Sequence, residues 1–446
     1  MNEIIIVING NKWEIKAASN KIDENILDIY IEKNSDRLRK KYLDFVEGLA
    51  KKKIGEKALC DYFKISKGYN IWWMSLIVEK SVFKSPCIVS CIKLLALEEI
   101  INIHKIDKLT VKGSDKNIIN SIRELTANLG IRFKTERKLN LFNIKDYLNP
   151  RELYNSAPQI LRAYLFFLRQ FFSKWVWINL LYRPLKSTNS IMIFSYFIHL
   201  DLDKLKEGNF YSNHWGPLPE LLNQNKVVSN WFHHFLRSDS AGSVKEGLKH
   251  IRKFNNVDQS HIFINNFLRF GMLFKILKDF IQLSNKFLGK AYMLKNFRVK
   301  DSCVNLWSIL ENDWTSSLKG ITLMQNLIWI YQLDKAFSEL PFQRVGIYLF
   351  ENQGWERAMI HAWRRNNHGM LLGVQHSVIR FWDMRYFDGY MKKFANKDSD
   401  IPKPDAIILN GPFALESYLK AGYDKKFFLQ AEALRYISEN QKSVSF

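Results

Sequence analysis

The chain has 446 residues, enough for two to four domains, and its 47% hydrophobic and 14% aromatic content can bury a sizeable core, which excludes wholesale disorder. Its 66 Lys and Arg against 44 Asp and Glu give a formal charge of +22. That balance favours an anionic partner, whether membrane surface, nucleic acid or phosphorylated small molecule, while an AT-rich genome leaves the same excess of Lys, Ile and Asn.

The opening residues lack a basic leader and a small-residue cleavage site, so Glu3–Ile8 reads as a β-strand closed by Asn9-Gly10 and not as a signal peptide. Trp72-Trp73 reads as a core wall, with a ring-stacking platform as the alternative. The cysteines Cys60, Cys87, Cys91 and Cys303 form no zinc spacing and no disulfide scaffold; buried free thiols in a reducing cytosol fit them. Lys108–Val111 and Ile131–Phe133 read as strands flanking a helix over Ile119–Leu129.

Ile160–Leu181 is a long helix carrying Leu, Phe and Trp, interrupted by Arg162, Arg169 and Lys174. Its longest uncharged stretch, Trp175–Tyr182, is far short of the roughly 20 residues a membrane span needs. An interfacial helix and a buried helix with snorkelling cations both match it.

Ile191–Tyr196 reads as a strand that places Ser195, His199 and Asp201 at its exit. His214 and Trp215 follow in a Gly/Pro-bounded loop. Together they suit a polyol bound by hydrogen bonds and stacking; a capped structural loop is the plain alternative. From about residue 200 to 313 strand signals are few, and a helical insertion is expected.

The sharpest segment starts at strand Val345–Phe350. Glu351 and Asn352 stand at its C-terminal end, where open α/β sheets bind ligands. Gln353-Gly354-Trp355-Glu356 starts a helix to about Asn366, whose N-terminus can receive an anion. The next strand, Leu371–Gln375, delivers His376 and Ser377. Arg380, Asp383 and Arg385 follow among Trp382, Tyr386 and Phe387. If the two strands are neighbours, Glu351 and His376 face one cleft and suit proton transfer or steering of a phosphate. The alternative makes Glu351 a helix cap and His376 a buried structural histidine. A linker is expected at 397–404, then strands Ala406–Leu409 and Phe427–Gln430.

Strands spaced by helices imply an α/β fold with parallel sheets. The signatures GxGxxG, GxxxxGK[ST], HExxH and GxSxG are missing, which weakens dehydrogenase, P-loop, zincin and hydrolase readings. No nucleic-acid motif or dense basic tract appears.

The blocks Phe350-Glu351-Asn352-Gln353-Gly354-Trp355-Glu356, Gly373-Val374-Gln375-His376-Ser377 and Trp382-Asp383-Met384-Arg385-Tyr386-Phe387 resemble a family of bacterial surface carbohydrate biosynthesis proteins, read as glycosyltransferases. Tyr69–Lys80, Ser195–Asp201 and Gly208–Pro219 fit that family in the same order. The resemblance implies a GT-B-like pair of Rossmann-type domains, similar to enzymes that transfer ulosonic acids from CMP donors. It implies Glu351 as catalytic carboxylate and His376 as a donor-phosphate or acid/base residue. Asn352, Trp355, Glu356, Ser377, Arg380, Asp383, Arg385, Ser195, His199, Asp201, His214 and Trp215 are the substrate-binding candidates.

The implied partners are a nucleotide sugar, as donor substrate and not cofactor, and a glycan or lipid-linked acceptor at the cytoplasmic face of an anionic membrane. No metal site is read, and nucleic acid is not expected. Residues 1–396 are expected to form the acceptor-type domain. Residues 405–446, with Asn410-Gly411-Pro412 and Ala433-Leu434-Arg435-Tyr436, match only the start of a nucleotide domain, as in a truncated or split transferase completed by a separate chain. The alternative function is an impaired transferase that binds carbohydrate or a partner.

Overall fold

The computed structural model describes residues 3–10, 12–17, 25–137, 150–178, 190–286, 296–387 and 401–432. Two compact units emerge, and neither is one continuous stretch of chain. The first comprises 1–163, 282–323 and 381–390; the second comprises 164–281, 324–380 and 391–446.

The first unit holds a four-stranded sheet. Strand β1 (Glu3–Asn9) pairs antiparallel with β2 (Lys12–Ala17) and parallel with β5 (Lys108–Gly113), which pairs parallel with β6 (Arg132–Arg137). A two-residue hairpin, β3 (Lys53–Ile54) and β4 (Lys57–Ala58), lies outside it. Ile4, Ile6 and Ile8 alternate into the core, the period of a half-buried strand. The helix Lys116–Asn128 is capped by the Asp115 carboxylate, which accepts from the N–H groups of Asn117 and Ile118. Trp72 and Trp73 are buried, so this pair is core wall. Cys87 and Cys91 are free thiols whose pKa burial pushes far up, which keeps them protonated and unreactive.

The second unit is built on a seven-stranded parallel sheet. Its strands are β7 (Ile191–Phe197), β8 (Ser229–Phe235), β9 (Gln259–Phe263), β10 (Val345–Leu349), β11 (Met370–Val374), β12 (Ala406–Leu409) and β13 (Phe428–Gln430). Across the sheet the order is β13-β12-β11-β10-β7-β8-β9. The first three strands therefore run outward in one direction from β7, and the later four run outward in the other from β10. This is the doubly wound Rossmann arrangement, with its topological switch between β7 and β10. β10, β11 and β12 are continuous apolar runs, as expected where helices cover both sheet faces. On one face, helix Val244–Phe254 buries Leu248, Ile251 and Phe254 with Ile193, Phe197 and Trp215. On the other, Phe194 meets Phe337 and Trp363 edge-on at 5.6 and 5.8 Å.

Two expectations are corrected here. The segment over 200–313 is no helical insertion: it carries β8 and the edge strand β9 of the main sheet. Their sequences, Ser-Asn-Trp-Phe-His-His-Phe and Gln-Ser-His-Ile-Phe, hide a strand because their polar groups are buried as mutual partners. His233 and His261 share a ring-nitrogen hydrogen bond of 3.0 Å, and the Asn230 amide donates to Ser190 at 2.7 Å. The chain after Pro404 does not open a separate sheet either. β12 pairs with β11 and β13 with β12, both parallel, so they extend the same sheet. Residues 397–400 of the expected linker and Ala433-Leu434-Arg435-Tyr436 lie outside the described residues.

Candidate functional site at the switch crevice

At the switch point the chain leaves β7 and β10 in opposite directions, which opens a crevice beyond their C-terminal ends. The turns there hold two residues in left-handed backbone: His199 (φ +52°) and Asn352 (φ +57°). Such a conformation costs about 1–3 kcal/mol, and Asn and His are among the non-glycine residues that adopt it most readily.

Glu351 and His376 meet here. β10 and β11 are adjacent and parallel, with Leu349 opposite Val374, so both residues project from the same sheet edge. The Glu351 carboxylate lies 3.4 Å from His376 Nε2. The Gln353 amide donates to the other Glu351 oxygen. The His376 side chain is nearly buried and Glu351 is partly open. Beyond His376 the imidazoles continue: His214 crosses it edge-on at 5.2 Å, and His199 crosses His214 at 5.2 Å. Three histidines thus lead along the crevice to one carboxylate, although 199, 214 and 376 are far apart in the chain.

Glu356 plays a different part. Its buried carboxyl accepts from the backbone N–H of Asn352 at 2.8 Å and of Glu351 at 3.2 and 3.3 Å. It occupies the third position of helix Gly354–Arg365 and reaches back to fasten the turn that carries Glu351, a variant of the capping box. Burial, then the nearby Glu351 charge, raise its pKa to about 8, so near neutrality it is mostly the uncharged acid. Glu356 therefore holds the turn and does not itself face the crevice.

Most of the other sequence candidates make contacts within the fold. The Ser195 hydroxyl accepts from the Trp215 indole at 3.0 Å, and Trp215 is buried. Asp201 caps helix Leu202–Glu207 through the N–H groups of Asp203 and Lys204. The Trp355 indole donates to the Tyr196 hydroxyl at 3.2 Å. Ser377 gives its carbonyl to the Gln375 amide at 2.6 Å, and Arg380 is exposed. Asp383 and Arg385 belong to the first unit, where they close a two-pronged ion pair at 2.6 and 2.8 Å. Arg357, on the same helix as Glu356, is buried and donates to the Pro402 carbonyl at 2.7 Å.

A cavity of about 130 Å³ opens beside the dyad. His214, His376, Gln375, Asn410 and Glu432 supply its polar lining, and Trp215, Leu218, Ile347 and Val374 much of its apolar wall. Sequence reasoning does not single out Gln375, Asn410 and Glu432 as site residues. Gln375 has a usable signal, since it directly precedes His376 at a strand end; its side-chain carbonyl oxygen accepts from the Tyr418 hydroxyl at 2.8 Å. Asn410 has the same signal, following strand Ala406–Leu409, but Glu432 has none, because only the pairing of β13 with β12 brings its strand end alongside. Among the described residues no His/Cys/Asp/Glu group has the geometry of a metal site.

No family model matches this chain, and neither does any curated protein or solved structure.

Proposed function

We propose that this chain is a sugar-transferring protein of bacterial surface polysaccharide assembly, with a nucleotide sugar bound in the switch crevice of the second unit. The observation that carries the reading is the Glu351–His376 dyad at the C-terminal edge of a Rossmann-ordered sheet, the position where such sheets bind nucleotides. The motif resemblance adds the substrate class: a CMP-activated ulosonic acid as donor, and a glycan or lipid-linked acceptor. A GT-B-like architecture belongs to the same proposal, supported by two α/β units in one chain.

In this reading Glu351 acts as the catalytic carboxylate. The acceptor hydroxyl forms a bond to the anomeric carbon, the carbon–oxygen bond to phosphate breaks, and the nucleotide leaves with the bonding electrons. The hydroxyl proton passes to Glu351 or His376. His376, held at 3.4 Å by the carboxylate, is placed either to trade that proton or to face the donor phosphate as a cation.

Calorimetric titration of the full chain with CMP and with CMP-sugars tests the proposal. Nucleotide binding is expected, weakened roughly tenfold or more in His376→Gln, as for the loss of one charged hydrogen bond. No binding of any nucleotide or nucleotide sugar, or equal binding by His376→Gln, overturns it.

A further inference from the structure

Helix Gln159–Ile178 is apolar on two sides. Phe167 and Phe171 are buried, while Leu165 and Leu168 are nearly half exposed and Phe172 is 72% exposed. At 100° per residue the exposed three fall within an arc of about 60°, centred about 110° round the helix from the buried pair. A neighbouring helix, Leu273–Asn285, repeats the arrangement. It buries Ile276 and Phe280, yet Phe274 is 78% exposed and Ile281 nearly half exposed. The helices pack together through Tyr164 on Phe280 (5.4 Å), and Phe171 meets Phe270 (6.4 Å) in the turn just before the second helix; Phe270 is itself nearly half exposed. These contacts all lie within the second unit.

Such large apolar groups side by side cost free energy in water, at about 25 cal/mol per Å². The charges beside them are of one sign. Arg169 on the first helix and Lys275 and Lys278 on the second are exposed. The first helix contains no Asp or Glu. The single acid of the second, Asp279, is buried and accepts from the Tyr331 hydroxyl at 2.8 Å. Aromatic and aliphatic groups among cations, with no exposed carboxylate on either helix, are the chemistry of an anionic lipid interface. A protein partner with a carboxylate rim around an apolar groove is the weaker match, since Phe172 and Phe274 project outward from convex helix faces. Neither helix is apolar and long enough to cross the bilayer.

We propose that this helix pair docks the protein on an anionic phospholipid surface, its apolar side chains entering the headgroup boundary and Arg169, Lys275 and Lys278 meeting the phosphates. The inference does not rest on the sugar-transfer reading. Flotation of the full chain with vesicles tests it, using phosphatidylcholine alone and phosphatidylcholine with phosphatidylglycerol. Binding is expected on the anionic vesicles, weak on the neutral ones and reduced by salt. Each cation near a charged surface is worth about 1 kcal/mol, so joint Arg169→Gln, Lys275→Gln and Lys278→Gln should lower partitioning roughly 100-fold. Phe172→Ser with Phe274→Ser should lower it as well, with an unchanged circular dichroism spectrum, since both rings face solvent. A control that replaces exposed Lys57, Lys245 and Lys300 by Gln should shift it less than threefold. Absence of anionic-vesicle binding, or equal losses in control and test variants, overturns the proposal. So does sedimentation showing a dimer, broken by the Phe variants, that ignores vesicles.

Discussion

The fastening of the Glu351 turn yields a prediction with an unusual sign. Glu356 sits buried beneath the turn with its pKa raised to about 8 from 4.5, first by burial and then by the Glu351 charge. The folded chain therefore holds a proton that the unfolded chain releases above about pH 4.5, and stability falls as pH rises from there towards 8. Between about pH 6 and about pH 8 this one group should remove about 2 kcal/mol. Glu356→Gln keeps the shape and one acceptor oxygen for the N–H groups of Asn352 and Glu351, but cannot ionise. The variant should converge on wild type near pH 4, exceed it by about 2 kcal/mol near pH 6 and by about 4 kcal/mol near pH 8. Glu356→Ala instead strands two backbone donors and should be about 2–4 kcal/mol less stable than Glu356→Gln at each pH. Urea unfolding followed by tryptophan fluorescence at these pH values reads all three. If wild type and Glu356→Gln lose stability in parallel as pH rises, Glu356 is ionised in the fold and the reasoning fails.

Glu351→Gln should cut transfer activity roughly 10²- to 10⁴-fold with nucleotide binding retained, in a turnover assay with donor and acceptor supplied; full activity would remove Glu351 from the chemistry. The buried pair His233 and His261 is held neutral by desolvation, with the His233 pKa lowered to about 3 from 6.5. The unfolded chain takes up these protons first as pH falls below about 6.5, so stability is full above that pH and drops by about 2 kcal/mol at about pH 5 for His233 alone, as acid-dependent melting should show. His233→Gln should flatten that loss even if it lowers stability at neutral pH. At the start of β11, a side chain on Gly369 would come within 2.0 Å of the Arg344 carbonyl oxygen. Gly369→Ala should therefore cost about 3 kcal/mol or more, visible as a lowered urea midpoint, because backbone and not a flexible side chain must move.

Much of the second sheet is legible in the sequence because its strands are short unbroken apolar runs. Val345-Gly346-Ile347-Tyr348-Leu349 and Met370-Leu371-Leu372-Gly373-Val374 carry that signal without ambiguity, and they set Glu351 and His376 at strand ends. β2 escapes a sequence reading although Lys12-Trp13-Glu14-Ile15-Lys16 alternates with period two, because charged residues fill its solvent face. β8 and β9 are hidden for a deeper reason: a buried polar group looks exposed until its partner is known, and the partners of Asn230 and His233 sit on other segments.

Residue types and their order determined the parallel α/β character of the main sheet, the placing of a carboxylate and an imidazole after successive strands, and the core role of Trp72 and Trp73. Tertiary structure alone decided the rest. It set the outward running of strands from β7 and β10, which creates the crevice, and it gathered His199, His214 and His376 into one line. It also separated four polar candidates, since Ser195, Asp201 and Glu356 hold the frame while Glu351 meets His376. The physical reason is that strand periodicity is local, whereas the role of a polar side chain depends on what lies across the fold from it.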